Sequence, residues 1–298
     1  MTRRELIALV LAAPASLAAA PGGVRRILRL GTGRVERVPL EDYVAAVLPA
    51  EIGSAPAAAL QAQAVAARSF ALAKEDRHRD QGADLCDGTH CQVFRGLGRV
   101  PAGAREAGDA TRGLVLVQRE KVIAAPFHAV CGGRTARPAD VWDDEETPDL
   151  VPVEDDACRD APGAAWMFEM PRSTVPALAS ALGFPEGRFF EVFGHDAGGR
   201  VSMVRFVAPG GRSLVVRGFE FRRSASDLWG WSSVRSTAFE VEETRGFYRL
   251  TGRGTGHGAG LCQAGAIARA RRGESRDGIL ATYYRGAAGA PVTFRSVA

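Results

Sequence analysis

The sequence predicts an α+β fold, on three observations. An alanine-rich run, AAALQAQAVAARSFALAK, from Ala57 to Lys74, has helix-forming composition over several turns. Short alternating segments, VSMVRFVA, SLVVRGFEF and FEVEE, read as strands parted by Gly and Asp turns. The 298 residues, 46% hydrophobic and 24% charged, supply an ordinary globular core with length enough for more than one lobe.

The elements follow in order. Thr2-Arg3-Arg4 precedes an apolar run from Leu6 to Ala20 that ends in small residues before Pro21, the pattern of an export signal over residues 1–20. The run is short and alanine-rich for a membrane span, and its paired arginines resemble a twin-arginine signal. The remainder, residues 21–298, reads as one domain, exported to the periplasm or cell wall. VRRILRL and RVERVPL, split by Gly31-Thr32-Gly33, predict a hairpin. EDYVAAVLPAEI, Glu41 to Ile52, has helical spacing. Ser54 can cap the next helix, with Pro56 in its first turn. Gln61, Val65, Arg68 and Leu72 then share one stripe.

A polar loop carries His78, Cys86, His90 and Cys91. GLVLVQREKVIAAPFHAV reads as a hairpin leading into Cys131-Gly132-Gly133, and Thr174 to Leu182 as a helix. Near the end, GRGTGHGAGLCQAGA (Gly252 to Ala266) sets five glycines around His257 before a helix from Cys262 to Arg272, closed by Gly273. Ser275 can cap a last helix, GILATYY.

Some functions are excluded. The net charge is +4, and loss of Arg3, Arg4 and Glu5 with a signal lowers it by one, too mild and evenly spread for nucleic acid. The glycine run contains no G-x-G-x-x-G and no following Lys-Ser/Thr, so it does not cradle phosphate. No H-E-x-x-H marks a zinc hydrolase. Five cysteines are an odd number, so an exported chain leaves at least one free, metal-bound or paired between chains.

Several unusual strings recur together: LEDYVAAVLPAEI, ALQAQAVAARSFAL, CDGTHCQVFRG, FHAVCGGRTARPADVW, GTGHGAGLCQAGA and GILATYYRGA. In this order they resemble the stage II sporulation protein D/LytB family, whose characterised members are peptidoglycan lytic transglycosylases. The resemblance runs from about Val24 to Ala287 and is weakest over Pro162 to Gly230. It implies a mixed α+β catalytic domain with a substrate groove between a helical part and a β-rich part. It places the catalytic acid/base at Glu51, in Leu-Pro-Ala-Glu-Ile. One carboxyl suffices for such chemistry, whereas glycoside hydrolysis uses two, and the apolar neighbours Val47, Leu48 and Ile52 suit a raised pKa. The plain alternative is a helix-terminal Glu51 with no chemical role.

The groove residues expected on this basis are Gln61, Arg68, Gln92, His128, Gly132, Gly133, Arg134, Thr135, His257 and Gln263. Arg68 or Arg134 can pair with the lactyl carboxylate of a peptide-free muramic acid, since a guanidinium fork fits a carboxylate. The ordinary alternatives are a solvated arginine for Arg68 and a packed core histidine for His257. Family members with a matching loop bind zinc, which points to Cys86, His90 and Cys91 as ligands and His78 as a fourth. A Cys86–Cys91 disulfide is the competing reading in an exported protein. A zinc here is structural, and catalysis requires no cofactor. Cys131 and Cys158 form the remaining pair, with Cys262 a small buried residue. The partners are peptidoglycan glycan strands and an amidase that strips their peptides. The alternative function is a non-catalytic wall-binding protein or an activator of another hydrolase.

Overall fold

The computed structural model describes residues 23–142, 148–289 and 291–297; the expected export signal at residues 1–20 lies outside them. The described residues form a mixed α+β architecture of helices and several small sheets, as the sequence predicts. No helix among them is long and apolar enough to cross a membrane.

The chain opens with the hairpin β1 (Val24–Arg29) and β2 (Arg34–Pro39), then α1 (Leu40–Glu51) and α2 (Ala57–Ala73). β3 (Leu85–Cys86) joins the hairpin as a parallel third strand, pairing Ile27 with Leu85 and Leu28 with Cys86. α3 (Ala102–Ala110) follows. The strands β4 (Leu114–Gln118) and β5 (Lys121–Val122) make the second hairpin, and β6 (Phe127–His128) and the short α4 (Pro138–Val141) come next. A second set of elements then intervenes: β7 (Ala165–Pro171), α5 (Val175–Ala181), β8 (Phe189–His195), β9 (Val201–Val207), β10 (Ser213–Arg217), α6 (Gly218–Trp229), β11 (Phe239–Glu243) and β12 (Phe247–Arg253). The chain closes with β13 (Leu261–Cys262), α7 (Gln263–Arg271), α8 (Arg276–Tyr283) and β14 (Val292–Ser296), which pairs antiparallel with β4.

Two hydrophobic cores correspond to this order. The first gathers Tyr43, Leu48, Val65, Leu116, Leu261 and Tyr283 around α2. The second, with Met170, Leu178, Phe206, Phe221, Tyr248 and Leu250, belongs wholly to residues 165–253. That segment is an inserted lobe. It leaves and re-enters the first core side by side, because β7 and β12 pair from Ala165↔Arg253 onward and Gly254 N–H donates to Ala164 O at 2.9 Å. A two-strand stem of this kind lets the lobe pack on itself and leaves the first core uninterrupted.

α2 is central. Its alanines let α1, α3, α7, α8 and β4 approach closely, and most of its residues are buried. One exception to its apolar character holds the packing together. Arg68 is fully buried and gives its Nη2 to Glu41 Oε2 at 2.6 Å and its Nε to Glu41 Oε1 at 2.9 Å. Its Nη1 donates to Leu114 O at 3.1 Å, and Gly113 N–H donates to Glu41 Oε1 at 3.2 Å. The expectation that Arg68 faces a sugar groove is therefore corrected: its guanidinium is enclosed by α1, α3 and the start of β4, with no face left for a ligand.

Other local readings also change. SLVVRGFEF is a strand only to Arg217. From Gly218 the buried positions Gly218, Phe221, Ser224 and Ala225 recur at helical spacing, and Glu220 Oε2 accepts from Arg217 N at 3.0 Å to start α6. Residues 102–110, assigned to no element from the sequence, form α3; two glycines and few large apolar residues hide its periodicity. Pro56, not Ser54, occupies the N-cap of α2, without a side-chain cap. Ser275 caps α8 as expected, accepting from Gly278 N at 3.2 Å.

Breaking the Glu41–Arg68 pair leaves an uncompensated buried charge. Arg68→Ala is expected to cost about 3–5 kcal/mol in urea unfolding, and the paired replacement Glu41→Leu/Arg68→Met distinctly less. Equal losses in the two would show that the lone charge is not the cause.

Candidate functional site

Glu51 is the last residue of α1, half-buried, with its carboxyl facing the chain that leaves the Cys86–Cys91 loop. Its Oε1 accepts from Val93 N–H at 2.6 Å. Burial raises its pKa above the usual carboxylate range, while the Val93 amide and the Gln263 side chain oppose the rise by favouring the charged form. The C-terminal end of a helix, where the dipole is negative, adds to the preference for a neutral carboxyl.

One glutamine, Gln263, bears on this carboxyl, and two more are buried in the same core. Gln263, at the first turn of α7, donates from Nε2 to Gln63 Oε1 at 3.3 Å. Gln92 is fully buried and donates to Ala67 O at 3.1 Å. Gln63 Nε2 and Gln92 Oε1 have no hydrogen-bond partner among the described residues. Gln63 was not singled out from sequence; Gln61 was. The two stand two residues apart on α2, about 200° around the helix axis, so the buried Gln63 meets Gln263 and the half-buried Gln61 faces another way. Tyr43 was also missed. It is buried in α1 with its hydroxyl unpartnered, and its pKa is raised by burial first and then by Cys91, Glu51 and Cys86. Helical periodicity marks both residues only as core positions, so no sequence signal separates them from packing.

The loop before Val93 gathers His78, Cys86, His90 and Cys91, whose donor atoms all lie within 4.8 Å of one another. Cys91 Sγ is 3.5 Å from His78 Nε2 and 3.7 Å from His90 Nδ1; Cys86 Sγ is 4.0 Å from His90 Nδ1. Cys86 is lowered to about 4, chiefly by its hydrogen bond with Cys91, which is raised in turn. Two sulfurs and two imidazoles in this arrangement suit a tetrahedral zinc. One contact must open for that fit: Arg77 Nη2 sits 3.2 Å from His90 Nε2, which carries the proton once Nδ1 ligates a metal. The fold brings His78 to the set although its sequence distance from Cys86 is unusual, because an isolated bridge pairs His78 with Ala83 and folds the intervening turn back.

The remaining expected residues lie at the junction with the inserted lobe. His128 is buried, its Nδ1 3.0 Å from Ala259 O, and burial lowers its pKa to about 3. His257 Nδ1 accepts from Ala259 N at 3.1 Å, and its ring lies 4.7 Å from Trp142 and 5.6 Å from His128. Burial, then His128 and Arg222, hold His257 neutral. The ring is half-buried, so part of it still reaches solvent. Gly258 and Gly260 have φ of +86° and +70°, and a Cβ on them would strike the Arg200 guanidinium and Pro126 O respectively. Glycine is needed at these two positions because the backbone runs directly against its neighbours there.

Gly132 (φ +76°), Gly133 and Arg134 line a separate cleft of about 470 Å³ with Arg159, Arg200 and Arg253; Glu51 is not among its lining residues. Arg134 pairs at the surface with Glu154 at 2.8 Å. Thr135 is buried and its Oγ1 accepts from Val153 N at 2.7 Å.

Residues 29–118, which include Glu51, α2 and the Cys86–Cys91 loop, match the family model of the stage II sporulation protein SpoIID. A stage II sporulation protein D of Bacillus amyloliquefaciens is 26% identical over 278 residues, covering 87% of this chain and 76% of that protein. A SpoIID domain is thus shown over residues 29–118, and SpoIID relatives align over most of the chain. An uncharacterized protein of Brachyspira hyodysenteriae is 29% identical over 256 residues, covering 85% of this chain and 67% of that protein. The amidase enhancer of Bacillus subtilis is 25% identical over 76% of this chain, which spans 37% of that longer protein. The family-model match ends at Gln118, so the lobe at residues 165–253 lies beyond the matched segment.

The close packing at the glycine run has a measurable consequence. Gly260→Ala is expected to lower stability by about 2–4 kcal/mol, through collision and positive φ together. Gly273→Ala, at φ +87° with open space around it, is expected to lose only about 1 kcal/mol. Thermal or urea denaturation of both variants compares them directly.

Proposed function

We propose that this chain is a peptidoglycan lytic transglycosylase with Glu51 as its single acid/base. The observation that carries the reading is the Glu51 carboxyl itself: half-buried, shifted toward its neutral form, and held in place by the Val93 amide. The groups bearing on it are the Val93 amide and the Gln263 side chain; a second carboxylate is not among them. In the reaction, protonated Glu51 gives its proton to the glycosidic oxygen between MurNAc and GlcNAc. The resulting carboxylate then takes the proton of the muramyl 6-hydroxyl as that oxygen closes on C1. The product end is 1,6-anhydroMurNAc, and no water is consumed. Such a substrate lies outside the cytoplasm, in keeping with an export signal at residues 1–20.

The metal-ligating set would hold one zinc through Cys86, Cys91, His78 and His90. It would act by fixing the loop that delivers Val93 to Glu51, and it takes no part in the bond-breaking. Protein prepared without chelator is expected to contain this zinc, and chelation to destabilise the fold, because binding energy at such a site is folding energy. A mapped Cys86–Cys91 disulfide would refute it.

The amidase-enhancer relative favours a second reading, a wall-binding activator of another hydrolase. Digestion of amidase-treated peptidoglycan with mass analysis of the products separates the two. Wild type is expected to release anhydromuramyl ends, and Glu51→Gln to bind strands with cleavage reduced by a factor of about 10⁴ or more. Binding without cleavage by wild type supports the activator. Reducing muramyl ends would mean hydrolysis and a second carboxylate, with Asp140 the first to examine.

The raised pKa also fixes the sign of two pH effects. Cleavage needs the protonated acid, so the rate is expected to fall as pH rises through the Glu51 pKa. A carboxyl raised on folding contributes stability below its unfolded pKa, which is lost as pH rises through the folded value. Glu51→Gln removes that loss, so the variant is expected to gain stability relative to wild type on the alkaline side and not at low pH. Unfolding curves at the two pH extremes measure the difference.

A further inference from the structure

We propose that Cys131, Cys158, Cys262 and Asp155 form a second metal centre, a closed structural site for a zinc-class divalent ion. All four residues are buried, each exposed by 1% or less, and their donor atoms lie within 4.8 Å of one another. They converge from three segments: the turn after β6, the short 3₁₀ turn at Asp156–Cys158, and the N-cap of α7. This set is separate from the His78–Cys91 loop.

The main competitor is a Cys131–Cys158 disulfide. Their sulfurs are 3.1 Å apart. Two sulfurs on one tetrahedral zinc, with bonds of about 2.3 Å, stand about 3.8 Å apart; a disulfide needs about 2.05 Å. The distance lies between and does not choose. The hydrogen bonds do. Cys262 Sγ faces two backbone N–H groups, of Cys131 and Gly265, each at 3.3 Å. The Gly132 and Gly133 amides face the Cys158 sulfur. A neutral thiol or a disulfide sulfur is a weak acceptor. Backbone donors converging on two sulfurs make a setting for negative charge. A disulfide would discharge Cys158 and leave Cys262 as a lone thiol beneath its own pair of donors.

Thiolates beside a buried carboxylate need a cation, since burying unpaired charge costs several kcal/mol per ion. Arg269 Nη2, 3.0 Å from Asp155 Oδ1, offsets one charge. A divalent ion at the centre of the four donors offsets two more. Asp155 is already oriented as a ligand would be. Tyr283 OH donates to its Oδ2 at 2.6 Å, and Ala157 N to its Oδ1 at 3.2 Å, outer contacts of the kind that fix a metal-binding carboxylate. Cys131 Sγ stands 3.7 Å from the same Oδ2. Gly265 has no room for a Cβ, which would run into the Tyr283 hydroxyl and Asp155 Oδ2, so α7 approaches the cluster as closely as its backbone allows.

The ion would clamp the turn that borders the inserted lobe to the start of α7. Gln263 follows Cys262 directly and bears on Glu51. The centre is thus a positioning device for one wall of the site, taking no part in bond chemistry.

The test uses the full chain purified without chelator or reductant, with zinc measured by elemental analysis. Cys158→Ser and Cys262→Ser are each expected to carry about one zinc fewer per chain than the parent, and Cys86→Ser to keep the zinc that these two lose. If the serine variants fail to fold, the parent decides by thiol counting. Chelated, denatured and alkylated without reduction, it is expected to show all five thiols. Two missing thiols with a linked Cys131–Cys158 peptide would overturn the proposal, as would a Cys262→Ser variant with the parent's metal content or a metal-free Cys86→Ser. Failure of the loop site alone leaves a different pattern: Cys86→Ser then matches the parent while Cys262→Ser loses metal.

Discussion

The buried pair between Glu41 and Arg68 is the constraint on which the rest of the first core rests. It joins the start of α1 to the middle of α2, and through Gly108 O, Leu114 O and the Gly113 amide it reaches the end of α3 and the start of β4. Apolar packing among alanines is permissive, since small side chains allow helices to slide. A charge pair with several directed hydrogen bonds is not permissive, because any shift leaves a buried charge short of partners. α1 is therefore fixed at one end by Glu41, and its other end presents Glu51 at a defined place.

At that far end the positioning passes to a different element. Val93 reaches Glu51 two residues after Cys91, so the geometry of the His78–Cys91 set is transmitted to the carboxyl through a short, hydrogen-bonded stretch anchored by Gln92 on Ala67 O. On the opposite side Gln263 arrives from the N-terminus of α7, immediately after the Cys262 cluster. The Glu51 carboxyl is thus met by Val93, two residues after Cys91, and by Gln263, the residue after Cys262. This accounts for the placing of cysteines better than packing alone, since a free cysteine fills a core no better than other small apolar residues.

The inserted lobe is attached by chemistry of another kind. Arg200, from β8–β9, is buried against the first core and donates to Cys131 O at 2.6 Å and Arg134 O at 3.0 Å. Gly258 makes room for it. The glycine run, His128, His257 and Trp142 together make a tightly packed seam that carries the lobe, and the cleft beside Gly132 and Gly133 opens along it.

By itself the sequence determined the α+β class, the alanine-rich α2, the first hairpin, the cap of α8 and the order of family strings, because these depend on composition, periodicity and short spacings. It also singled out Glu51 and the four residues that gather in the His78–Cys91 loop. Tertiary structure decided what periodicity cannot carry. Arg68 and Gln61 share a helical stripe, but only the packing of α1 and α3 shows that Arg68 is consumed by Glu41. Gln63 differs from Gln61 only by its direction about the helix axis, and meets Gln263 from 200 residues away. The glycines beside His257 read as freedom for a ligand, yet Gly258 and Gly260 are required by the close approach of Arg200 and Pro126. The lobe boundary at residues 165 and 253 depends on a strand pair whose partners lie far apart in the chain. In each case the deciding contact is long-range, and a single sequence records which residues are present but not which distant ones they meet.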